Sequence, residues 1–244
     1  MKKFILLFVC AVSILACSEK ESNLLVKGNV KGLKKGILYL QRIDDTLLVN
    51  VDSMKVNGDA NFEFHDFIKS PQIMYLYLQK VDNTDYDDRI EFFAEPGEIT
   101  INTNLKHFDT EAKIVGSSNE EKLEEYKKMM SRFNDKNLDL IKKNFEAEKD
   151  HDEEAIIALD KEYSQLLKRK YLYTVNFAIN NKDKDIAPYL ALSEVFDANI
   201  KYLDTIYNSL TPQVKKSKYG KALKDFLKER RKNEKLEKKV KKED

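Results

Sequence analysis

Apolar and polar residues alternate in short runs over the first half of the chain, as they do in half-buried strands. Turn-forming pairs such as Asn57-Gly58 and Pro96-Gly97 separate the runs at nearly even spacing, and Asn57-Gly58 also predicts a type I′ hairpin turn. Many short strands with hairpin spacing predict an antiparallel β-sandwich or a partly open barrel. The predicted strands cover residues 24–30, 37–43, 47–56, 61–67, 73–78, 89–94, 98–102 and 113–115.

Beyond Gly116 the apolar spacing changes to three and four residues, which indicates helices. One stripe begins at Leu123 and a second ends at Phe177. The acidic break at residues 150–152 predicts that they fold back as an antiparallel hairpin. Further helices are predicted at 186–196, at 201–210 and from Pro212 onward. The fold class is therefore α+β, with a β-domain at residues 24–116 and an all-α helical region at 117–230.

Two short signals mark where helices start. Ser118 and Glu121 fit a capping box at the start of the first helix. Thr211 followed by Pro212 fits an N-cap and the first residue of the last helix.

The N-terminus has its own pattern. Two lysines precede an apolar run, Phe4–Ala16, which has the length of a signal-peptide core and is too short to span a bilayer. The run ends at Cys17, and this arrangement resembles the lipobox of bacterial lipoproteins, in which the cysteine is acylated and the preceding peptide removed. We therefore expect a signal peptide at 1–16 and a tether at 17–23. The alternative is an ordinary cleaved signal with a chance cysteine.

Lipidation at Cys17 implies a location. Two or more acyl chains, such as palmitate, give lasting membrane attachment. We expect the protein to be lipid-anchored in the cell envelope, at the periplasmic or surface face of the outer membrane, with the membrane as a partner through this lipid.

Cysteine usage bears on chemistry. Cys10 lies in the signal peptide, so Cys17 is the sole cysteine of the expected exported chain. A disulfide or a Cys-x-x-Cys pair needs a second cysteine. The three histidines, His65, His107 and His151, lack metal-ligand spacing, and common hydrolase motifs are absent. The sequence thus predicts no catalytic residue, metal or cofactor, and a protein that is not an enzyme.

Several short motifs follow one another in a familiar order. They are Val26–Val30, Ile37–Leu40, Val51–Val56, Phe62–Phe64, Phe92–Gly97, Val115–Asn119, Ala187–Leu192 and Ser217–Leu227. Their order and spacing resemble the N-terminal domain of unknown function, with its following helices, that precedes the thioredoxin-like domain in exported thiol:disulfide interchange lipoproteins. The resemblance implies that a redox domain with Cys-x-x-Cys would follow. The sequence has no such pair, so we expect the accessory domain without oxidoreductase activity.

An aromatic cluster is the candidate ligand or partner face. It comprises Tyr39, Tyr75, Tyr77, Phe92 and Phe93. Tyrosine combines a flat apolar ring with a hydroxyl group, which suits a protein partner or an envelope ligand. The alternative is a core shared between the sheet and the helices.

Two charged segments have open interpretations. Residues 82–88 concentrate oxygen ligands that could suit calcium, but they lack the EF-hand order and favour a solvated loop. The stretch 215–244 has 12 Lys and 2 Arg against six acidic residues. We expect its last part, 231–244, to be a charged disordered tail, with contact to anionic lipid headgroups as one alternative and a solvated helix as another.

These patterns favour a non-catalytic, membrane-anchored binding or assembly module in the cell envelope, with an unknown protein or envelope ligand. The net charge of +1 gives no nucleic-acid signature. An alternative is an accessory subunit of a thiol-disulfide exchange system that acts with a separate thioredoxin-like protein. A second alternative is an enzyme with an unrecognised pair of carboxylates.

Overall fold

Eight strands are followed by six helices in the computed structural model, which describes residues 21–81 and 88–243. The signal peptide, Cys17 and most of the acidic loop 82–88 lie outside the described residues. The strands are β1 (Leu24–Lys31), β2 (Lys35–Asp44), β3 (Leu47–Asn57), β4 (Asn61–Asp66), β5 (Gln72–Lys80), β6 (Arg89–Ala94), β7 (Gly97–Asn104) and β8 (Lys113–Val115). This order confirms the α+β class.

The strands form two four-stranded sheets with the orders β4-β1-β7-β8 and β3-β2-β5-β6. Their facing sides share one core. Val26 and Phe64 of the first sheet and Leu40 and Met74 of the second are fully buried in it. Because the strands form two separate sheets that pack face to face, the domain is a sandwich and not a closed barrel.

Two features differ from the antiparallel hairpins that the sequence predicts. Strand β1 runs parallel to β7, with Val26 beside Ile99. The Asn57-Gly58 turn exists, and Gly58 has a φ of +98°, but β3 and β4 belong to different sheets. The predicted hairpin at this turn is wrong because the buried Val56 and Phe62 on either side meet in the common core, which takes the chain across the sandwich.

The helices are α1 (Ser118–Lys149), α2 (Glu153–Asn180), α3 (Ile186–Ser193), α4 (Ile200–Ser209), α5 (Pro212–Lys216) and α6 (Lys218–Glu243). As predicted, α1 and α2 pack as a hairpin. The single last helix predicted from Pro212 is two helices, because the backbone is extended at Ser217, with ψ 176°. No helix in the described ranges combines the length and apolar character needed to cross a bilayer.

The C-terminal segment also differs from expectation. Helix α6 continues to Glu243, whereas the sequence predicts a disordered tail from residue 231. Lysine and glutamate are good helix formers, so this charged sequence favours a helix even without a packed face.

The helices dock on one end of the second sheet. A cluster joins Ile73 and Phe93 of β5 and β6 to Leu123 and Tyr126 of α1 and to Leu190 of α3. A separate cluster of small and branched residues holds α2 to α6 together. The outer face of the sheet is therefore covered at one end only.

Candidate functional site

The uncovered part of the second sheet carries a row of side chains from three neighbouring strands. The strand register places Tyr39 opposite Tyr77, and Tyr77 opposite Arg89. The two tyrosine rings stack with their centroids 5.9 Å apart. The Arg89 guanidinium lies over the Tyr77 ring, 5.3 Å from its centroid. The Tyr39 hydroxyl donates to Gln79 Oε1 over 2.9 Å, which fixes the outer end of the row.

A second row lies between the open surface and the helices. It contains Gln41, Tyr75 and Glu91, which are opposite one another in register. Arg89 also lies over the Tyr75 ring, at 5.7 Å. Burial, and then the charge of Glu91, raises the pKa of Tyr75, so its hydroxyl remains a hydrogen-bond donor. We call Tyr39, Tyr75, Tyr77 and Arg89 the tyrosine face.

The third row lies under the helices. Phe93 is fully buried and makes edge contacts with Tyr189 and Tyr219, with centroids 5.6 and 6.0 Å away. The Ile73 N–H donates to the Tyr219 hydroxyl over 2.9 Å. The Phe93 N–H donates to Glu120 Oε2 over 2.5 Å. These strand N–H groups are therefore satisfied by helix side chains, which holds the helices in register with the sheet.

The structure separates the five aromatic residues predicted as one face. Phe92 enters the sandwich core, and Phe93 enters the cluster under the helices. Neighbouring residues of a strand point to opposite faces, so these two cannot share a surface. Tyr39, Tyr75 and Tyr77 remain partly exposed on the outer face. The sequence analysis missed Arg89, whose position beside two tyrosines depends on cross-strand register.

A cavity of about 510 Å³ adjoins the open end of the tyrosine face. Ile37 and Gln79 of the next row line it, together with Lys35, Lys55 and Lys80. Lys80 pairs with Asp88 over 2.6 Å. Lys35 and Lys55 form no ion pair within the described residues, so this end of the face is positively charged.

The outer face of the first sheet has a different character. Lys27 pairs with Glu98 over 2.8 Å, and His65 lies 2.9 Å from Glu63. In the described part of this face, the strands present no tyrosine or phenylalanine to solvent. Among the described strands, partly exposed tyrosines thus occur only on the second sheet.

Polar contacts fix the start of α1 against the β-domain. The Glu95 carboxylate, in the turn between β6 and β7, accepts from Ser118 N–H and from Asn119 Nδ2, each over 2.6 Å. Ser117 is the N-cap, and its Oγ accepts from Glu120 N–H over 3.1 Å. The predicted capping box at Ser118 is thus one residue too late, because the neighbouring Ser117 takes the cap position.

Two buried carboxyl groups lie at the contact between the domains. Burial raises the pKa of Glu120, which accepts from the Phe93 N–H. Burial also raises the pKa of Asp185, against a bond from Ser217 that lowers it. Both acids therefore contact protein groups at this boundary, Glu120 the Phe93 N–H and Asp185 Ser217.

A polar cleft of about 450 Å³ separates the end of β2 from α5 and α6. Arg42 pairs there with Asp66 over 2.7 Å. Lys218 Nζ donates to Gln72 Oε1 over 2.6 Å and to the Ile43 carbonyl over 2.9 Å. These charged groups are used to join the domains.

The three histidines lie apart from one another. His65 and His107 are exposed on different segments, and His151 lies in the turn between α1 and α2 with a φ of +57°. Within the described residues, no three His, Cys, Asp or Glu side chains come together as a metal site.

Residues 24–123 match the family model described as a domain of unknown function, DUF4369. The N-terminal domain is similar to the domains of this family. Domains of this family are found N-terminal to thioredoxin-like domains, which confirms the resemblance drawn from the sequence motifs. The matched range includes all eight strands and the first turn of α1, so the contacts of Glu95 and Glu120 lie inside the matched range. No curated protein and no solved structure matches the chain.

Proposed function

We propose that this protein is a non-catalytic binding module of the cell envelope, held to the outer membrane by a lipid on Cys17, that captures a protein partner on the tyrosine face. The observation that carries the proposal is that the partly exposed tyrosines of the described strands, with an arginine over two of them, lie together on one outer face of the sandwich. Tyrosine and arginine dominate the energetics of protein interfaces because they bury large areas and still form directed polar contacts.

The geometry favours a protein over a sugar as the ligand. A flat sugar ring needs an open aromatic face on which to stack, and the Arg89 guanidinium already lies over Tyr75 and Tyr77. Lys35 and Lys55 at the edge of the cavity add positive charge beside the rings. A partner surface that joins an apolar patch to acidic side chains would complement both features.

Attachment through Cys17 rests on the apolar run that ends there. Labelling of cells with a palmitate analogue should mark the wild-type chain and leave a Cys17→Ala variant unmarked and released from the membrane. A soluble, unlabelled wild-type chain would contradict the anchor and leave the partner proposal intact.

Capture of a partner is tested by crosslinking in intact envelopes, followed by affinity purification and mass spectrometry. A Tyr39→Ser, Tyr77→Ser double variant should lose at least nine-tenths of the recovered partner. Both side chains are partly exposed, so circular dichroism should match the wild type. The matched control is Lys27→Ser, Glu98→Ser on the outer face of the other sheet. Equal recovery from all three proteins, or recovery of no specific protein, would contradict the proposal.

A second candidate is supported by the DUF4369 match. These domains accompany thioredoxin-like domains. In this second candidate the partner is a separately encoded thioredoxin-like protein, and the present protein is an accessory subunit of thiol-disulfide exchange. The identity of the captured protein separates the two candidates. A Cys-x-x-Cys protein whose oxidation state changes when this chain is deleted would favour the accessory role.

A further inference from the structure

An apolar strip runs along one side of the outer half of the α1–α2 hairpin. On α1 it consists of Leu138, Ile141 and Phe145, which are 62, 56 and 69% exposed. On α2 it continues with Tyr163 and Leu167, which are 47 and 37% exposed. The spacing of three and four residues places the members of each helix on one side of that helix. We call these five residues the hairpin strip.

The contact between the two helices becomes partly polar beneath the strip. The residues of α1 that face α2 recur at spacings of three and four, as in a coiled coil. Tyr126, Met130 and Phe133 fill these positions near the body, and farther out the buried Leu140 and Ala147 alternate with Asn137 and Asn144. The Oδ1 atoms of both asparagines are buried and accept no hydrogen bond in the described structure. The outer half of this contact therefore contains polar groups that the two helices alone do not satisfy.

Small cavities open beside these asparagines on the side of the strip. One, of about 110 Å³, is lined by Asn137, Tyr163 and Leu167. The other, of about 180 Å³, is lined by Asn144, Ile141 and Tyr163. Because Tyr163 borders both, the cavities form one interrupted groove between the helices. Such holes suit side chains from a further helix.

Charge is distributed unevenly along the hairpin. The tip, residues 146–154, has six carboxylates and one lysine. The base, residues 127–132 and 168–170, has six lysines and arginines and no carboxylate. Lys127 and Lys170 lie 3.4 and 3.8 Å from carboxylates of their own chain, and the other four form no ion pair within the described residues. An identical hairpin in the opposite direction would place each acidic tip beside a basic base.

We propose that the hairpin strip is covered by the same strip of a second copy of this chain, running antiparallel, so that two hairpins form a four-helix bundle. The contact is isologous, with its twofold axis between Leu138 and Ile141. With side-chain areas of about 150–250 Å², the strip exposes about 500 Å² per copy. Two copies then bury about 1,000 Å², which is the minimum expected of a biological interface and the size of a weak, reversible one.

Sedimentation analysis of the full-length lipidated chain in detergent, with micelles in excess, tests the dimer. An Ile141→Ser, Phe145→Ser double variant should raise the dimer dissociation constant at least tenfold. The matched control is Ile157→Ser. Ile157 is 70% exposed on the same hairpin, but helical periodicity places it away from the strip. A wild-type chain that stays monomeric at every concentration, or an equal effect of the control, would overturn the proposal.

Cysteine pairs test the antiparallel direction in the envelope. Differently tagged copies with Ser131→Cys and Glu148→Cys should form a disulfide with each other, because residues 131 and 148 are equally distant from the proposed axis. Self-linked Glu148→Cys copies would indicate a parallel pair and overturn the arrangement. Crosslinks from Ile141→Cys only to a different protein would show that another helix covers the strip. Partner capture by the tyrosine face should be unchanged in the Ile141→Ser, Phe145→Ser variant.

Discussion

The side chain of Asn119 joins Glu95 to the start of another helix. Its Nδ2 donates to Glu95 Oε2 over 2.6 Å, and its Oδ1 accepts from the Ile186 N–H over 3.0 Å. One amide thus connects the turn after β6, the first turn of α1 and the start of α3. The Glu95 carboxylate also lies at the positive end of α1, where a negative charge is favourable. The β-domain and the helices therefore fold against each other through buried polar contacts as well as apolar packing.

Replacing Glu95 tests this connection. Glu95→Ala removes the acceptor of the Ser118 and Asn119 donors, and we expect the free energy of unfolding to fall by about 2–3 kcal/mol. Chemical denaturation at neutral pH measures the change. Glu98→Ala breaks only the exposed pair with Lys27 and should cost under about 1 kcal/mol. Similar losses for both variants would refute the special role of Glu95.

Gly116 allows the chain to leave β8 and enter α1. Its φ is +104°, and a Cβ there would lie 2.1 Å from the Glu98 carbonyl oxygen. Gly116→Ala therefore combines backbone strain with a clash, and we expect a loss of more than about 3 kcal/mol. Gly58→Ala is the matched control, since Gly58 has a φ of +98° and no atom within 4 Å of an added Cβ. It should cost only about 1–2 kcal/mol, as measured by thermal or urea unfolding.

Removing the Tyr219 hydroxyl should lower the free energy of unfolding more than removing the hydroxyl of the neighbouring Tyr189. Burial raises its pKa to about 12, and it accepts the hydrogen bond from Ile73 N–H. Tyr219→Phe leaves that N–H without its acceptor, so we expect a loss of about 1–3 kcal/mol. Tyr189→Phe alters a ring in the same cluster whose hydroxyl makes no hydrogen bond within the described residues. If the two variants unfold at the same urea concentration, the bond to Ile73 contributes nothing.

Glu120 should give stability a pH dependence. Burial raises its pKa above the ordinary value of 4.5, so the folded protein holds this proton more tightly than the unfolded chain. That contribution is complete below pH 4.5 and is lost as the pH rises through the folded-state pKa. Glu120→Gln removes this loss of stability at higher pH and keeps an acceptor for the Phe93 N–H. Relative to wild type, the variant should gain stability as the pH rises above 4.5, whereas the exposed Glu121→Gln should not. Parallel stability curves for wild type and Glu120→Gln would count against this assignment.

The positions of the strands could be predicted from the sequence because apolar and polar residues alternate along a half-buried strand. The predicted ranges of β6 and β8 equal the observed ones, Arg89–Ala94 and Lys113–Val115. Where both faces of a strand are apolar, this alternation does not predict which side chains point into the sandwich core. Phe92 and Phe93 look alike in the sequence, yet one enters the sandwich and the other contacts the helices. Which face each one takes depends on tertiary packing.

Sequence signals for helix capping were less reliable where two neighbouring residues can both serve as the N-cap. Ser117 and Ser118 are both good N-caps, and the structure uses Ser117 because Ser118 donates to Glu95. The tyrosine face depends on the register of three strands, which sequence does not encode locally. The position of Arg89 over Tyr75 and Tyr77 therefore required the structure.

The parallel pairing of β1 with β7 has a consequence for how the chain acquires its fold. Strand β1 is synthesised first, but its neighbours β4 and β7 follow only after the β2–β3 hairpin, and Leu24 finally lies beside Gly97. Closing so long a stretch of chain is entropically costly and slow. During synthesis from the N-terminus, β2, β3 and β5 can assemble while β1 still lacks β7. The first strand to emerge is therefore among the last to become fully paired.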